Sequence, residues 1–125
     1  MHTPISSTCI MCKICECLHV MCNDVMWCGG LTELLRISAL AAAYDIPVVP
    51  HGSGAYSYHF VITQPHCPFC EYLNTSPDCL SFPAVFGNMF ENEILPVNGR
   101  IRLTDEPGWG LRINRKELNL RRVQH

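Results

Sequence analysis

The sequence predicts an α/β fold with parallel strands, and three observations carry that expectation. Ile46-Pro47-Val48-Val49-Pro50-His51 is a short apolar run closed by Gly52-Ser53, the pattern of a strand covered on both faces, as in a parallel sheet. Leu31 to Tyr44, just before it, reads as an amphipathic helix. Leu18 to Met21, ahead of that helix, reads as a second strand body that ends near Asp24. Strand–helix–strand alternation argues for βαβ units.

In chain order, residues 1–22 stand apart. They hold six of the nine cysteines when Cys28 is counted with them, and their apolar positions follow no period. Cys9-Ile10-Met11-Cys12 and Cys12-Lys13-Ile14-Cys15 form overlapping CxxC pairs. A tetrahedral zinc site needs a second, well-separated pair, and Cys17, His19 and Cys22 are crowded against the first. The segment is expected to be poorly ordered or aberrant, with a zinc-binding module as the competing reading.

Asp24-Val25-Met26-Trp27-Cys28-Gly29-Gly30 is a strand end running into a glycine turn. In the helix that follows, Leu31, Leu34, Leu35 and Leu40 with Ala41 and Ala42 make the expected apolar stripe, and Ile46-Pro47 ends it because a residue before proline is pushed out of the helical region. After Gly52-Ser53-Gly54, the alternation favours a helix over Ala55–Thr63. Pro65 and Pro68 break it. Phe69-Cys70-Glu71-Tyr72-Leu73 is expected as a short strand with one carboxylate inside it, and such a charge is costly unless paired or functional. Residues 74–95 are irregular. Leu95–Leu103 is expected as a hairpin around Asn98-Gly99, Pro107–Gly110 as a turn, and Leu111–Asn114 as a last strand. Three strands do not close a barrel, which takes about 250 residues. The order therefore reads as the last part of one, incomplete in this chain.

Composition bounds the function. The 125 residues carry a formal charge of −2 and are 48% hydrophobic, so no basic footprint for nucleic acid exists. No apolar run reaches the length of a membrane span. The first residues lack the basic and apolar regions of a signal peptide, which supports a cytoplasmic protein with reduced thiols. Cys67-Pro68-Phe69-Cys70 imitates a redox pair, but leads into a strand rather than a helix, so its cysteines read as incidental.

Three polar residues fall at the ends of, or within, three successive strands: Asp24, His51 and Glu71. In a barrel such positions converge on one mouth. An aspartate beside a histidine fixes the imidazole tautomer and makes it a better base. A nearby glutamic acid can donate a hydrogen bond to a developing oxyanion. A histidine at a strand end also serves as a merely structural, hydrogen-bonded residue.

Asp24-Val-Met-Trp-Cys-Gly-Gly-Leu-Thr-Glu33, Val49-Pro-His-Gly-Ser53 with Tyr56-Ser-Tyr-His59, Pro68-Phe69 before Glu71, Pro96-Val-Asn-Gly99 and Pro107-Gly-Trp-Gly110 together resemble the C-terminal barrel portion of acid-sugar dehydratases. These belong to the mandelate racemase group of the enolase superfamily, and the likeness is nearest to the L-rhamnonate dehydratases. It covers about residues 23–123, and residues 23–125 are expected as the C-terminal part of one barrel domain with a C-terminal hairpin extension. The resemblance implies an enolase-like modified TIM-type barrel. It makes His51 the acid/base on the seventh strand and Asp24 its partner on the sixth. Glu71, on the eighth, would hydrogen-bond the enediolate, and Ser53 would touch substrate. The implied reaction removes the proton next to a sugar carboxylate and loses water to give a 2-keto-3-deoxy acid, with Mg²⁺ as Lewis acid. The implied metal ligands are three carboxylates on the third, fourth and fifth strands, and specificity comes from an N-terminal capping domain. Neither is expected within this chain, so the chain alone is expected to be inactive or a non-catalytic remnant. A small-molecule sugar acid is the implied partner, and relatives of this kind are often homo-oligomers.

Overall fold

The computed structural model describes residues 19–52 and 54–116. The chain divides into two compact units, Met1–Glu71 and Tyr72–His125. The candidate zinc ligands Cys9, Cys12, Cys15 and Cys17 lie outside the described residues, as does Ser53.

The first unit runs β1 (Met21–Asp24), α1 (Leu31–Ala42), β2 (Val48–His51), α2 (Ala55–Thr63). The two strands pair in parallel, Met21 with Val48, Cys22 with Val49, Asn23 with Pro50 and Asp24 with His51. Side chains alternate across a strand. Met21 and Val48 therefore share one face with Asn23 and Pro50, while Cys22, Asp24, Val49 and His51 share the other. The first face covers the core, where Met21 and Val48 join Val25, Leu34, Ile37, Ala41, Ile46 and Phe60. The second carries Asp24 and His51 at the strand ends. Among the described residues the strand begins at Met21, after His19 and Val20, where the Met21 amide bonds the Pro47 carbonyl at 2.9 Å; Leu18 lies outside the described residues.

Helix α1 stops two residues before the expected Tyr44. The chain then turns, with the Tyr44 and Ile46 amides both bonding the Ala41 carbonyl and Asp45 in the left-handed region at φ 53°, a common helix ending. Its buried stripe is Leu34, Ile37, Ser38 and Ala41. That corrects the expected stripe by one helical step: Leu35 and Ala42 face outward. Ser38 replaces them in the core because its hydroxyl finds partners there, Gln64 Oε1 at 3.3 Å and His66 Nε2 at 3.0 Å. Helix α2 forms over Ala55–Thr63 as expected and buries Ala55, Ser57, Tyr58 and Phe60.

Phe69–Leu73 does not form the expected strand. Phe69 and Leu73 remain exposed, so neither a ladder nor a covered face rewards extension there. The carboxylate of Glu71 bonds to the end of β2 instead.

The second unit has no helix or multi-residue strand among its described residues. The Asn98-Gly99 turn forms, with φ of 51° and 69°, the two positive values that a tight hairpin turn requires. The Val97 and Arg100 backbones bond reciprocally at 2.8 and 3.1 Å. The expected hairpin stops at that one pair. The expected last strand reduces to a single antiparallel bridge, Ile113 with Phe90. Beside it the Asn92 side chain accepts from the Arg112 amide at 2.7 Å and donates to the Gly110 carbonyl at 2.8 Å. A side chain thus supplies hydrogen bonds that a longer strand pair would take from backbone. No helix among the described residues is long and apolar enough to cross a membrane.

Candidate active site at the strand ends

Parallel pairing aligns the carboxyl ends of β1 and β2, so Asp24 and His51 finish their strands side by side. Such ends are where α/β sheets present chemistry. The two carboxylates are used differently. Asp24 Oδ1 accepts from the amides of Met26 at 2.7 Å and Trp27 at 3.3 Å, capping its own loop as a side-chain-closed turn. Glu71 reaches across, and its Oε2 meets His51 Nδ1 at 2.8 Å. The same oxygen accepts from the Gly52 amide. His51 is thus held by Glu71, not by Asp24, whose carboxylate is turned onto the glycine loop. The His51 side chain is 49% exposed and that of Glu71 34%, so the ring is held yet accessible. With Nδ1 committed to a carboxylate, Nε2 is the nitrogen left for a ligand.

Two further groups stand in this neighbourhood. Burial pushes the Cys22 thiol up, and the charges of Glu71 and then Asp24 add to it. Burial likewise raises the Tyr56 phenol, with Asp24 second. Sequence reasoning missed both as site neighbours. The available signals were the two-residue spacing of Cys22 from Asp24 and the place of Tyr56 in the first turn after the Gly52–Gly54 loop.

The residues here do not fit Mg²⁺. The ion asks for octahedral oxygen donors, one or two of them carboxylates, whereas Glu71 is committed to His51 and Gly52, and Asp24 to two amides. No group of three His, Cys, Asp or Glu side chains that could hold a metal occurs among the described residues. Burial pushes the thiols of Cys67 and Cys70 up, the opposite of the depressed value that a redox thiol needs.

Two successive β–α units on a parallel strand pair, with a carboxylate-held histidine at the strand ends, define a class. Residues 15–117 match the enolase C-terminal domain-like family, and the chain belongs to it. It is 52% identical over 99 residues to the L-rhamnonate dehydratase of Saccharopolyspora erythraea, covering 79% of this chain and 25% of that one. The crystal structure of L-rhamnonate dehydratase from Gibberella zeae superposes with a TM-score of 0.80 at 51% identity, over 89% of this chain and 29% of that one. The Gibberella zeae enzyme complexed with Mg superposes at 0.76 with 50% identity, over 89% and 28%. The chain thus spans between a quarter and a third of the length of these relatives, and its fold is part of their TIM-type barrel.

Proposed function

We propose that residues 23–125, with Met21 and Cys22 completing β1, are the acid/base portion of a sugar-acid dehydratase barrel, of the L-rhamnonate type, and that the cysteine-rich residues ahead of β1 are a separate segment. The observation that carries this reading is the 2.8 Å contact between His51 Nδ1 and Glu71 Oε2 at the end of a parallel strand. With Nδ1 held, His51 Nε2 takes the proton from the carbon next to the substrate carboxylate, leaving an enediolate. The resulting imidazolium is stabilised by the adjacent Glu71 carboxylate. Return of that proton to the departing hydroxyl of the neighbouring carbon releases water, and the enol becomes a 2-keto-3-deoxy acid. Asp24 keeps the β1–α1 loop in place beside the ring and adds a second negative charge near the imidazolium. Glu71 stays ionised while the imidazolium and the enediolate coexist, so it acts through His51 rather than by donating to the enediolate, and Ser53 is the proposed substrate contact.

No step is routed through a metal, since the described residues do not supply its donors. On this reading the chain alone handles protons but lacks an electrostatic sink for the enediolate, and does not turn over L-rhamnonate. Incubating the purified chain with Mg²⁺ and L-rhamnonate tests that expectation. Formation of a 2-keto-3-deoxy acid would contradict it.

A further inference from the structure

The span from His51 to α2 is tied at two points. At one end the Gly52 amide donates to Glu71 Oε2, the atom that also holds His51 Nδ1. At the other, Gly54 caps α2, and its carbonyl accepts from the Tyr58 amide at 3.1 Å. Gly54 is buried and its backbone is extended, with φ 166° and ψ 153°, so no conformational demand requires a glycine. What requires it is Tyr56. A Cβ at position 54 would lie 2.8 Å from both Cε1 and Cζ of the tyrosine ring and 3.1 Å from its hydroxyl oxygen. The ring therefore folds back from the first turn of α2 and closes over the Gly54 Cα. Tyr56 also packs against the hydrophobic core, which leaves it little freedom to swing away.

We propose that Tyr56 is a positioning residue of the acid/base site: its ring clamps Gly54, the residue from which the chain enters α2, and so keeps the Gly52 amide on the carboxylate that orients His51. The inference rests on the reading of His51 and Glu71 as the proton-handling pair, but its geometry is observable without turnover. A clamp made by ring contact predicts that phenylalanine suffices at position 56. It also predicts that filling the space above Gly54 does the same harm as emptying it.

The test is ¹⁵N NMR of the whole 125-residue chain, reading the His51 tautomer and the Gly52 amide resonance in four variants. Tyr56→Ala is expected to lose the hydrogen-bonded Gly52 resonance and to move His51 from the Nδ1–H form towards the Nε2–H form. Tyr56→Phe is expected to retain both signatures. Gly54→Ala, which deletes nothing, is expected to lose both, and serves as the decisive variant if Tyr56→Ala fails to fold. Unchanged signatures in a folded Tyr56→Ala or Gly54→Ala overturn the inference, and equal loss in Tyr56→Phe overturns the ring clamp. Glu71→Ala separates the two claims. If Glu71→Ala changes both signatures and Tyr56→Ala does not, only the role of Tyr56 falls. If Glu71→Ala is itself silent, the His51–Glu71 pairing falls and takes the inference with it.

Discussion

At the scale of single residues, the account turns on which nitrogen of His51 is free. Glu71 holds Nδ1, so Nε2 is the nitrogen left for the proposed proton transfer. Replacing the base in a protein that contains the whole barrel should cost about 10²–10⁴-fold in rate, the usual contribution of a positioned acid/base. His51→Asn is therefore expected to abolish both dehydration and the exchange of the substrate's C2 proton with D₂O. Retained C2 exchange would assign the proton to another group. Only part of this site was legible in the sequence. Asp24 and His51 were found because each is a polar residue at an apolar strand end, and Glu71 because it is a charge inside an apolar run. The partnership of His51 was not, because Asp24 has two loop amides within reach and Glu71 sits on a segment whose path depends on tertiary packing. Tyr56 carried no signal of its own, as a tyrosine in a first helical turn is ordinary until the neighbouring glycine is seen to lie beneath it.

At the scale of elements, the helices were legible and the strands less so. Apolar spacing, flanking glycines and Pro47 bracket α1, and periodicity is local information. The phase of its buried face is not. Ser38 is inside because Gln64 and His66 reach it, which no helical period encodes. Leu34 is fully buried in the core, and Leu34→Ala should lose about 2–5 kcal/mol. Chemical denaturation checks this, and an unchanged midpoint would remove α1 from the core. Strands depend on partners: Phe69–Leu73 has apolar character without a ladder to join, and Leu111–Asn114 finds only the single bridge from Ile113 to Phe90. The Asn98-Gly99 turn needs no partner element and forms as expected. Gly99 has φ 69° and open space around a Cβ, so Gly99→Ala meets only backbone strain, about 1–2 kcal/mol. Faster hydrogen exchange at the Arg100 amide, which bonds the Val97 carbonyl, is the expected sign.

At the scale of the whole molecule, titration and exposed surface give two expectations. Burial raises the thiols of Cys22, Cys28, Cys67 and Cys70 above an ordinary value of 9.0. As pH climbs through 9 the unfolded chain releases those protons while the folded chain keeps them. Folding stability contributed by the neutral thiols is therefore full below pH 9 and falls above it. Denaturation midpoints under reducing conditions should drop between pH 8 and pH 10, and a flat profile would contradict the burial. Within the first unit Trp27 is 89% exposed and Ile62 72%, and within the second Leu80 is 85% exposed. Exposed apolar side chains of this size favour association where they gather on one surface. The isolated chain should therefore bind a hydrophobic dye and associate as its concentration rises, by light scattering.

The central claim is that this chain contributes the proton-handling side of a dehydratase barrel and needs the remainder to act. The most direct measurement replaces the matching segment of the Gibberella zeae L-rhamnonate dehydratase with residues 23–125 and follows 2-keto-3-deoxy acid formation with Mg²⁺ present. The account predicts turnover by the hybrid, none by the chain alone, and none by the hybrid bearing His51→Asn. Undiminished turnover by the His51→Asn hybrid would contradict it.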